Sequence, residues 1–386
     1  MNDVNTTNRA GTTPFPLATA SLAELGLHAP AIERLRALIK THIAQGRYPG
    51  AQIALARHGK LALFETFGHA TLEPKTLATD STLWLLFSNT KVITAAGIWV
   101  LIEEGLVRFS DTIAEYIPEF ARHGKGDITI AQVMSHRAGY PSQGCTSAAW
   151  NDHALMRKQV CDFTLEWTPG TRLHYHGRAA HWTLAALIEA VTGKDYRDFL
   201  RARVLEPLGL GRDVFVGVPD AEHGRAATIY EPEGDGGQKA LREENTPAHK
   251  RAGIPSGGGF ATARGMVALY QMMANYGKLN GVRLFSRRLI EFVTRNHTEE
   301  MYDGAMGMPM HRGLGVHVRG TTETIRGLGT LASPNTYGHG GVGSSYCWAD
   351  PDSGVSFAYL TNSRIPDPWH SRRLDLVANF VHSAID

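Results

Sequence analysis

The chain has 386 residues, with 39 Lys+Arg against 37 Asp+Glu, so its formal net charge is +2 at pH 7. That balance leaves no large basic surface for nucleic acid. The 43% hydrophobic and 20% charged fractions describe an ordinary globular chain, large enough for about two domains and a sizeable core without disulfide or metal staples. Cys145, Cys161 and Cys347 are an odd number with no C-x-x-C spacing, which argues against a disulfide framework or a zinc ribbon and for buried reduced thiols. The N-terminus lacks a basic segment followed by an apolar one, and no apolar run approaches the ~18 residues of a span. The expectation is a cytoplasmic protein with no membrane partner.

In chain order, residues 1–20 read as a mobile arm. Ala29 to Gly46 places Ile32, Leu35, Leu38, Ile39 and Ile43 at helical spacing and stops at a glycine. Gly50–Arg57 and Lys60–Phe67 are β-rich runs joined by His58-Gly59, a hairpin signal. The short apolar run Leu83–Phe87 leads into Ser88–Glu104, which is apolar almost all round and therefore reads as a buried helix. Residues 110–250 are mostly helical in pattern. Arg178–Thr192 carries one apolar face and ends at Gly193, and the polar stretch 222–249 reads as a surface loop. Ser345–Ala349 and Val355–Thr361 form a second hairpin signal, and His370–Ile385 is a final amphipathic helix. With strands and a helix at each end, the simplest assembly is an α+β fold. An antiparallel sheet is built from both termini (21–105 and 255–386) and flanked by helices, and a mostly helical lobe (106–254) is inserted. The cleft between them is the natural place for a site.

Three stretches could carry chemistry. Ser88-Asn89-Thr90-Lys91 is an S-x-x-K, weak alone, but it sits at the first turn of the buried helix. Residues at i and i+3 share a face, so the amine can reach the hydroxyl. The plain alternative is that Ser88 caps the helix and Lys91 is a surface charge. Yet this helix has no polar face, and a buried lysine needs a partner or a lowered pKa. Tyr175 lies in the turn-rich stretch 168–177 before a helix, where a loop tyrosine most often packs. Tyr337-Gly338-His339-Gly340-Gly341-Val342-Gly343 is glycine-dense, as a flexible turn or as a backbone that comes close to a ligand.

Taken together, Ser88-x-x-Lys91, then Tyr175, then His339-Gly340-Gly341 resemble in order and spacing the signatures of the serine β-lactamase-like superfamily. The nearest groups are class C β-lactamases and the family VIII carboxylesterases. Ser135-His136-Arg137-Ala138-Gly139 and Ser256-Gly257-Gly258-Gly259 resemble secondary features of that family, and the resemblance spans roughly residues 22–385. It implies that Ser88 is a nucleophile with Lys91 and Tyr175 as its base system. The backbone N–H groups of Ser88 and Val342 would form an oxyanion hole, with His176, His339, Gly340 and Gly341 on the substrate side. No cofactor or metal is implied.

Two departures bear on the substrate. The family's Tyr-x-Asn reads Tyr175-His176-Gly177, and its Lys-Thr-Gly reads His339-Gly340-Gly341. Both changes remove groups that recognise penicillin-like compounds, so a small-molecule carboxylic ester is the expected substrate. A β-lactamase or a D-amino-acid amidase or peptidase is the alternative. At residue 339 a permanent cation is replaced by a group that ordinarily titrates near neutrality. A metallohydrolase built on His174, His176 and His181 lacks the expected neighbours, since Arg178 and Ala179 stand where Asp and His would be needed. An α/β-hydrolase lacks G-x-S-x-G. A non-catalytic acyl- or peptide-binding member is the remaining class. The sequence does not choose between Lys91 and Tyr175 as the base, nor fix the oligomeric state.

Overall fold

The computed structural model describes residues 15–234, 236–321 and 327–386. Strand β1 (Ala18–Thr19) and helix α1 (Ala29–Ala44) lead into β2 (Gly50–Arg57) and β3 (Lys60–Leu72). The β2–β3 turn puts both His58 and Gly59 at positive φ, 51° and 79°. That is the twist a two-residue hairpin requires. The buried helix follows as α2 (Thr90–Glu103), the middle contributes α3 (His153–Asp162) and α4 (Ala179–Thr192), and α5 spans Ala263–Ala274. The chain then returns through β4 (His317–Val318), β5 (Tyr337–Gly341), β6 (Ser345–Asp350) and β7 (Val355–Thr361) to the last helix, α6 (Trp369–His382).

The strand order is β1-β3-β2-β7-β6-β5-β4, with a short strand, Lys75–Leu77, on the side of β3. Every pair along it is antiparallel except β1–β3. The two ends of the chain meet in the middle of the sheet, where β7 pairs with β2 from Val355↔Arg57 to Thr361↔Ala51. Helices cover both faces, so β2 and β7 are buried along nearly their whole length and read as continuous rather than alternating apolar runs. On one face α1 and α6 pack with Ile53, Leu55, Phe357 and Tyr359. The other face presents Ala54, Ala56, Ala349 and Ala358 to a core that continues through α5 and α2 into the helical middle. These small side chains let α5 lie close. Gln52 of β2 accepts from the α5 N–H of Ala263 at 2.7 Å, and Thr262 caps the same helix from Gly265 N at 3.1 Å.

The α+β architecture and the inserted helical middle are as expected. Two finer expectations need correction. Of the mobile arm, residues 1–14 lie outside the described residues, but from Phe15 on the chain is packed: Leu17 is buried and Ala18–Thr19 pairs with β3. The stretch 222–249 is not an open loop. It folds as a hairpin, Tyr230–Glu233 with Gly237–Ala240, and a helical turn from Pro247. Ile229 and Leu241 are buried beneath it, two apolar anchors in an otherwise polar run. Among the described residues no helix is long and apolar enough to cross a membrane.

Candidate active site

Ser88 sits in a single 3-10 turn, Phe87–Asn89, immediately before α2. The strand-like run before it, Trp84–Leu85, pairs with Gly259–Ala261, and this lays residues 255–259 along the start of α2. Gly259 N donates to Thr90 Oγ1 at 2.9 Å, and Thr94 Oγ1 donates to Pro255 O at 2.8 Å. Phe87 has φ of 45°, the left-handed region that a bulky residue enters only under constraint. Its ring supplies that constraint, buried with Leu85, Phe215, Ile229, Leu241 and Phe260. Ser88 is thus held by a strained turn whose anchor lies in a separate apolar cluster.

Lys91 follows one turn later and is fully buried. Its Nζ lies 3.0 Å from Ser88 Oγ, 2.8 Å from Gly177 O and 2.7 Å from Ser256 O. Burial drives its pKa well below 10.5, and the positive charge of Arg312 acts in the same direction. A neutral amine matches this setting: its two N–H groups donate to the two carbonyls, and its lone pair accepts from the Ser88 hydroxyl. Tyr175 is half-buried, lines the same cavity as Ser88, and its ring centroid is 5.1 Å from Lys91 Nζ. Burial raises the phenol to about 12, against smaller lowering effects from Ser88 and Arg312. The two groups are therefore driven apart, the amine towards its free-base form and the phenol towards its protonated form.

Ser88 and Tyr175 line a cavity of about 260 Å³ together with His339, Gly340, Gly341 and Val342. Met306, Tyr346, Ile365, Pro366 and Leu374 make much of its wall apolar. Gly341 is where β5 passes closest to the nucleophile turn: a Cβ there would stand 2.3 Å from Leu86 O. Beyond it the chain turns at Gly343 (φ 65°), and Val342 projects outward with 56% of its surface exposed. Its N–H has no acceptor among the described residues.

Two sequence-based assignments on the substrate side change. His176 does not line this cavity. Its Nδ1 donates to His174 O at 2.6 Å, its Nε2 accepts from Tyr140 N at 3.2 Å, and its own N–H donates to His136 Nδ1 at 3.1 Å. Every polar atom of the ring is used inside the scaffold, and burial takes its pKa to about 4. His339 does line the cavity but does not behave as a group poised near neutrality. Burial, reinforced by Lys91, holds it well below its ordinary value. Its Nδ1 lies 2.9 Å from Gly340 O and so carries the ring proton. Nε2 is then a lone-pair acceptor with no partner among the described residues. Residue 339 offers neither the charge nor the donor that a lysine would.

The histidines of the metal alternative do not assemble either: His174 turns onto Trp167, with ring centroids 5.5 Å apart. Among the described residues the trio spaced for a cation is His153, Glu189 and Asp195. Arg197 already fills it, with Nη2 2.7 Å from Asp195 Oδ2 and 2.9 Å from His153 Nε2.

Reading the sequence missed Asp303 and Arg312. Both are buried, 0% and 1% exposed, and paired at 2.5 Å. Asp303 Oδ1 accepts from the backbone N–H of Tyr175 at 3.0 Å and of Ala305 at 2.9 Å, and the Arg312 guanidinium lies 5.0 Å from the Tyr175 ring centroid. No motif marks them: Asp303 follows a polar turn, and Arg312 precedes the glycine-containing Gly313-Leu314-Gly315.

Residues 35–381 match the Beta-lactamase family model. The chain belongs to the Beta-lactamase family. It is a hydrolase of the serine β-lactamase and penicillin-binding-protein fold. Within this family it is 31% identical to the esterase/beta-lactamase LipL of Mycobacterium tuberculosis, over 74% of this chain and 70% of LipL. It is 25% identical to a putative D-alanyl-D-alanine carboxypeptidase of Escherichia coli, over 92% of this chain and 88% of that protein. Among solved structures, a family VIII carboxylesterase superposes with a TM-score of 0.80 at 26% identity, covering 93% of this chain and 99% of the other. A penicillin-binding protein homologue from Caulobacter crescentus superposes with a TM-score of 0.78 at 27% identity, covering 92% and 98%.

Proposed function

We propose that this β-lactamase-family hydrolase cleaves small carboxylic esters through an acyl-enzyme on Ser88. The observation that carries this reading is the wall of the cavity. Among the described residues that line it none is a lysine or arginine, and His339 stands neutral, with an acceptor nitrogen, where the family's Lys-Thr-Gly has its lysine. Among the described lining residues a substrate carboxylate finds no lysine or arginine, whereas an uncharged ester is received by largely apolar walls. The esterase relative and the family VIII neighbour support the same class.

Lys91 acts as the base. Ser88 Oγ attacks the ester carbonyl carbon as its proton moves to Lys91 Nζ, and the developing oxyanion is met by the N–H groups of Ser88 and Val342. The acyl C–O bond then breaks. Tyr175 gives its phenolic proton to the departing alkoxide and recovers one from Lys91. Water attacks the acyl-enzyme, loses its proton to the same pair, and Ser88 leaves with a proton restored. The site so described works as a complete unit without a cofactor. A reducing cytoplasm suits the three free, buried thiols.

The test is a substrate panel on the intact protein: p-nitrophenyl acetate and butyrate, nitrocefin, and a D-alanyl-D-alanine peptide, each with Ser88→Ala as control. Esters are expected to exceed the other two by at least about tenfold in kcat/KM, since a missing charged contact is worth roughly 1.5–3 kcal/mol. Efficient turnover of nitrocefin or of the peptide would reassign the activity to the β-lactamase or carboxypeptidase class. Binding without turnover of any of them would make the chain an acyl- or peptide-binding member.

A further inference from the structure

We propose that Asp303 and Arg312 are the positioning pair of the Ser88–Lys91–Tyr175 centre, with Arg312 supplying from outside the substrate cavity the fixed positive charge that residue 339 does not carry. The inference rests on Lys91 and Tyr175 serving Ser88, as proposed above, but not on which acyl compound they act upon.

The geometry gives the pair two tasks. Asp303 is a backbone clamp. Its Oδ1 gathers the N–H groups of Tyr175, Ala305 and, at 3.3 Å, Met306, while residue 303 also bridges Leu173. One carboxylate thereby ties the loop that carries the phenol to the loop that places Met306 in the cavity wall. Arg312 is an electrostatic neighbour. The one hydrogen-bonded partner of its guanidinium among the described residues is Asp303, and Nε and Nη1 are buried without partners. A buried arginine with unused donors costs stability, and a use for its charge beside Tyr175 would account for that cost. This guanidinium lies against the Tyr175 ring, and it does not line the cavity. It therefore biases the catalytic groups without offering a cation to a substrate carboxylate. The substitution of His339 for a lysine and the presence of Arg312 thus form one arrangement: a fixed charge is kept beside the base system, while position 339 on the cavity wall carries none.

The sign follows from the surroundings. Facing Lys91, Tyr175 and Arg312 are Asp303, His136, His176, His181 and His339, with the His317 ring tilted against His339 at a centroid distance of 4.1 Å. Burial holds His136, His176, His181 and His339 below their ordinary values, so they stay neutral as Lys91 titrates. Arg312 disfavours a proton on Lys91, and Asp303, by pairing with Arg312, offsets that charge. Removing either charge should move the titration of the base in opposite directions, which a purely architectural role for the pair would not do.

The experiment is the pH dependence of Ser88 phosphonylation by a fluorophosphonate, followed by intact mass, in the wild type and in Arg312→Met, Arg312→Lys and Asp303→Asn, with thermal melting to confirm folding. In Arg312→Met the acid limb should move about one pH unit upward, in Asp303→Asn about as far downward, and Arg312→Lys should keep the wild-type midpoint. If Arg312→Met does not fold, Asp303→Asn decides alone, because its amide oxygen still accepts from Tyr175. An unmoved limb, or limbs that move the same way, overturns the proposal. Wild-type protein that labels normally but turns over no ester would remove the ester assignment and leave this inference standing. Wild-type protein that is not labelled at Ser88 would overturn both.

Discussion

Lys91 Nζ lies 3.0 Å from Ser88 Oγ and within 2.8 Å of two backbone carbonyls, Gly177 O inside the helical insertion and Ser256 O just beyond its end. The two carbonyls take two N–H groups and fix the direction of whatever remains on nitrogen. In the protonated amine that remainder is a third donor aimed at Ser88. In the neutral amine it is a lone pair aimed at the same atom. On the proposed mechanism the protonation state of Lys91 therefore decides whether Ser88 is activated.

Activity should follow that state. Lys91 is held well below 10.5 by burial, so its active, neutral form is lost as pH falls through the lowered value and is present above it. The kcat/KM profile is expected to rise to a plateau well before pH 10.5, with one acid limb set by Lys91. Lys91→Arg keeps a permanent cation and should be inactive, by about 10³-fold or more, at every pH. Arginine-variant activity that recovers at alkaline pH would take the base role from Lys91.

Tyr175 is expected to act on the leaving group, because burial raises its phenol to about 12 and keeps it protonated at neutral pH. Tyr175→Phe should then lose about 10²-fold or more on ethyl or butyl esters, whose alkoxides need a proton, and much less on p-nitrophenyl esters. The comparison is kcat/KM across leaving groups of graded pKa. An equal loss across the series would instead place Tyr175 in the attack on the carbonyl.

His339 carries its proton on Nδ1 towards Gly340 O and is held neutral by burial and by Lys91. His339→Gln is therefore expected to remain active within about tenfold and to show the wild-type pH profile. His339→Lys returns a cation to the cavity wall, and it should lower ester turnover and strengthen inhibition by carboxylate-bearing esters. An unchanged inhibitor preference in that variant would show that side chain 339 does not meet the substrate.

At Gly341 a Cβ would stand 2.3 Å from Leu86 O, a backbone atom of the segment that carries Ser88. Gly341→Ala must push β5 away from the nucleophile turn, and with it the Val342 N–H. The expected result is a loss of about 10²-fold in kcat, with destabilisation of about 1–3 kcal/mol, read by steady-state kinetics beside urea unfolding. A variant of normal kcat would remove Val342 from the oxyanion hole.

Much of this molecule is legible from local pattern alone. The His58-Gly59 hairpin, the all-apolar helix after Ser88, the helix closed by Gly193 and the spacing of Ser88 and Lys91 follow from backbone sterics and from periods of two or 3.6 residues, which the sequence states directly. The hairpin within 222–249 is not legible in the sequence, because its buried anchors Ala227, Ile229, Tyr230 and Leu241 are few, irregularly spaced and set in a polar run.

What only the tertiary structure decides is charge. Lys91, Tyr175 and His339 have ordinary affinities for protons in water. The enclosure of Lys91 by Gly177 and Ser256, the placing of Arg312 beside Tyr175, and the Gly340 carbonyl that takes the His339 proton come from segments far apart in the chain. Sequence determined which groups could react. Burial in a low-dielectric interior, where each charge is worth more and solvent no longer levels it, determined which of them hold a proton, and no periodicity along the chain encodes that.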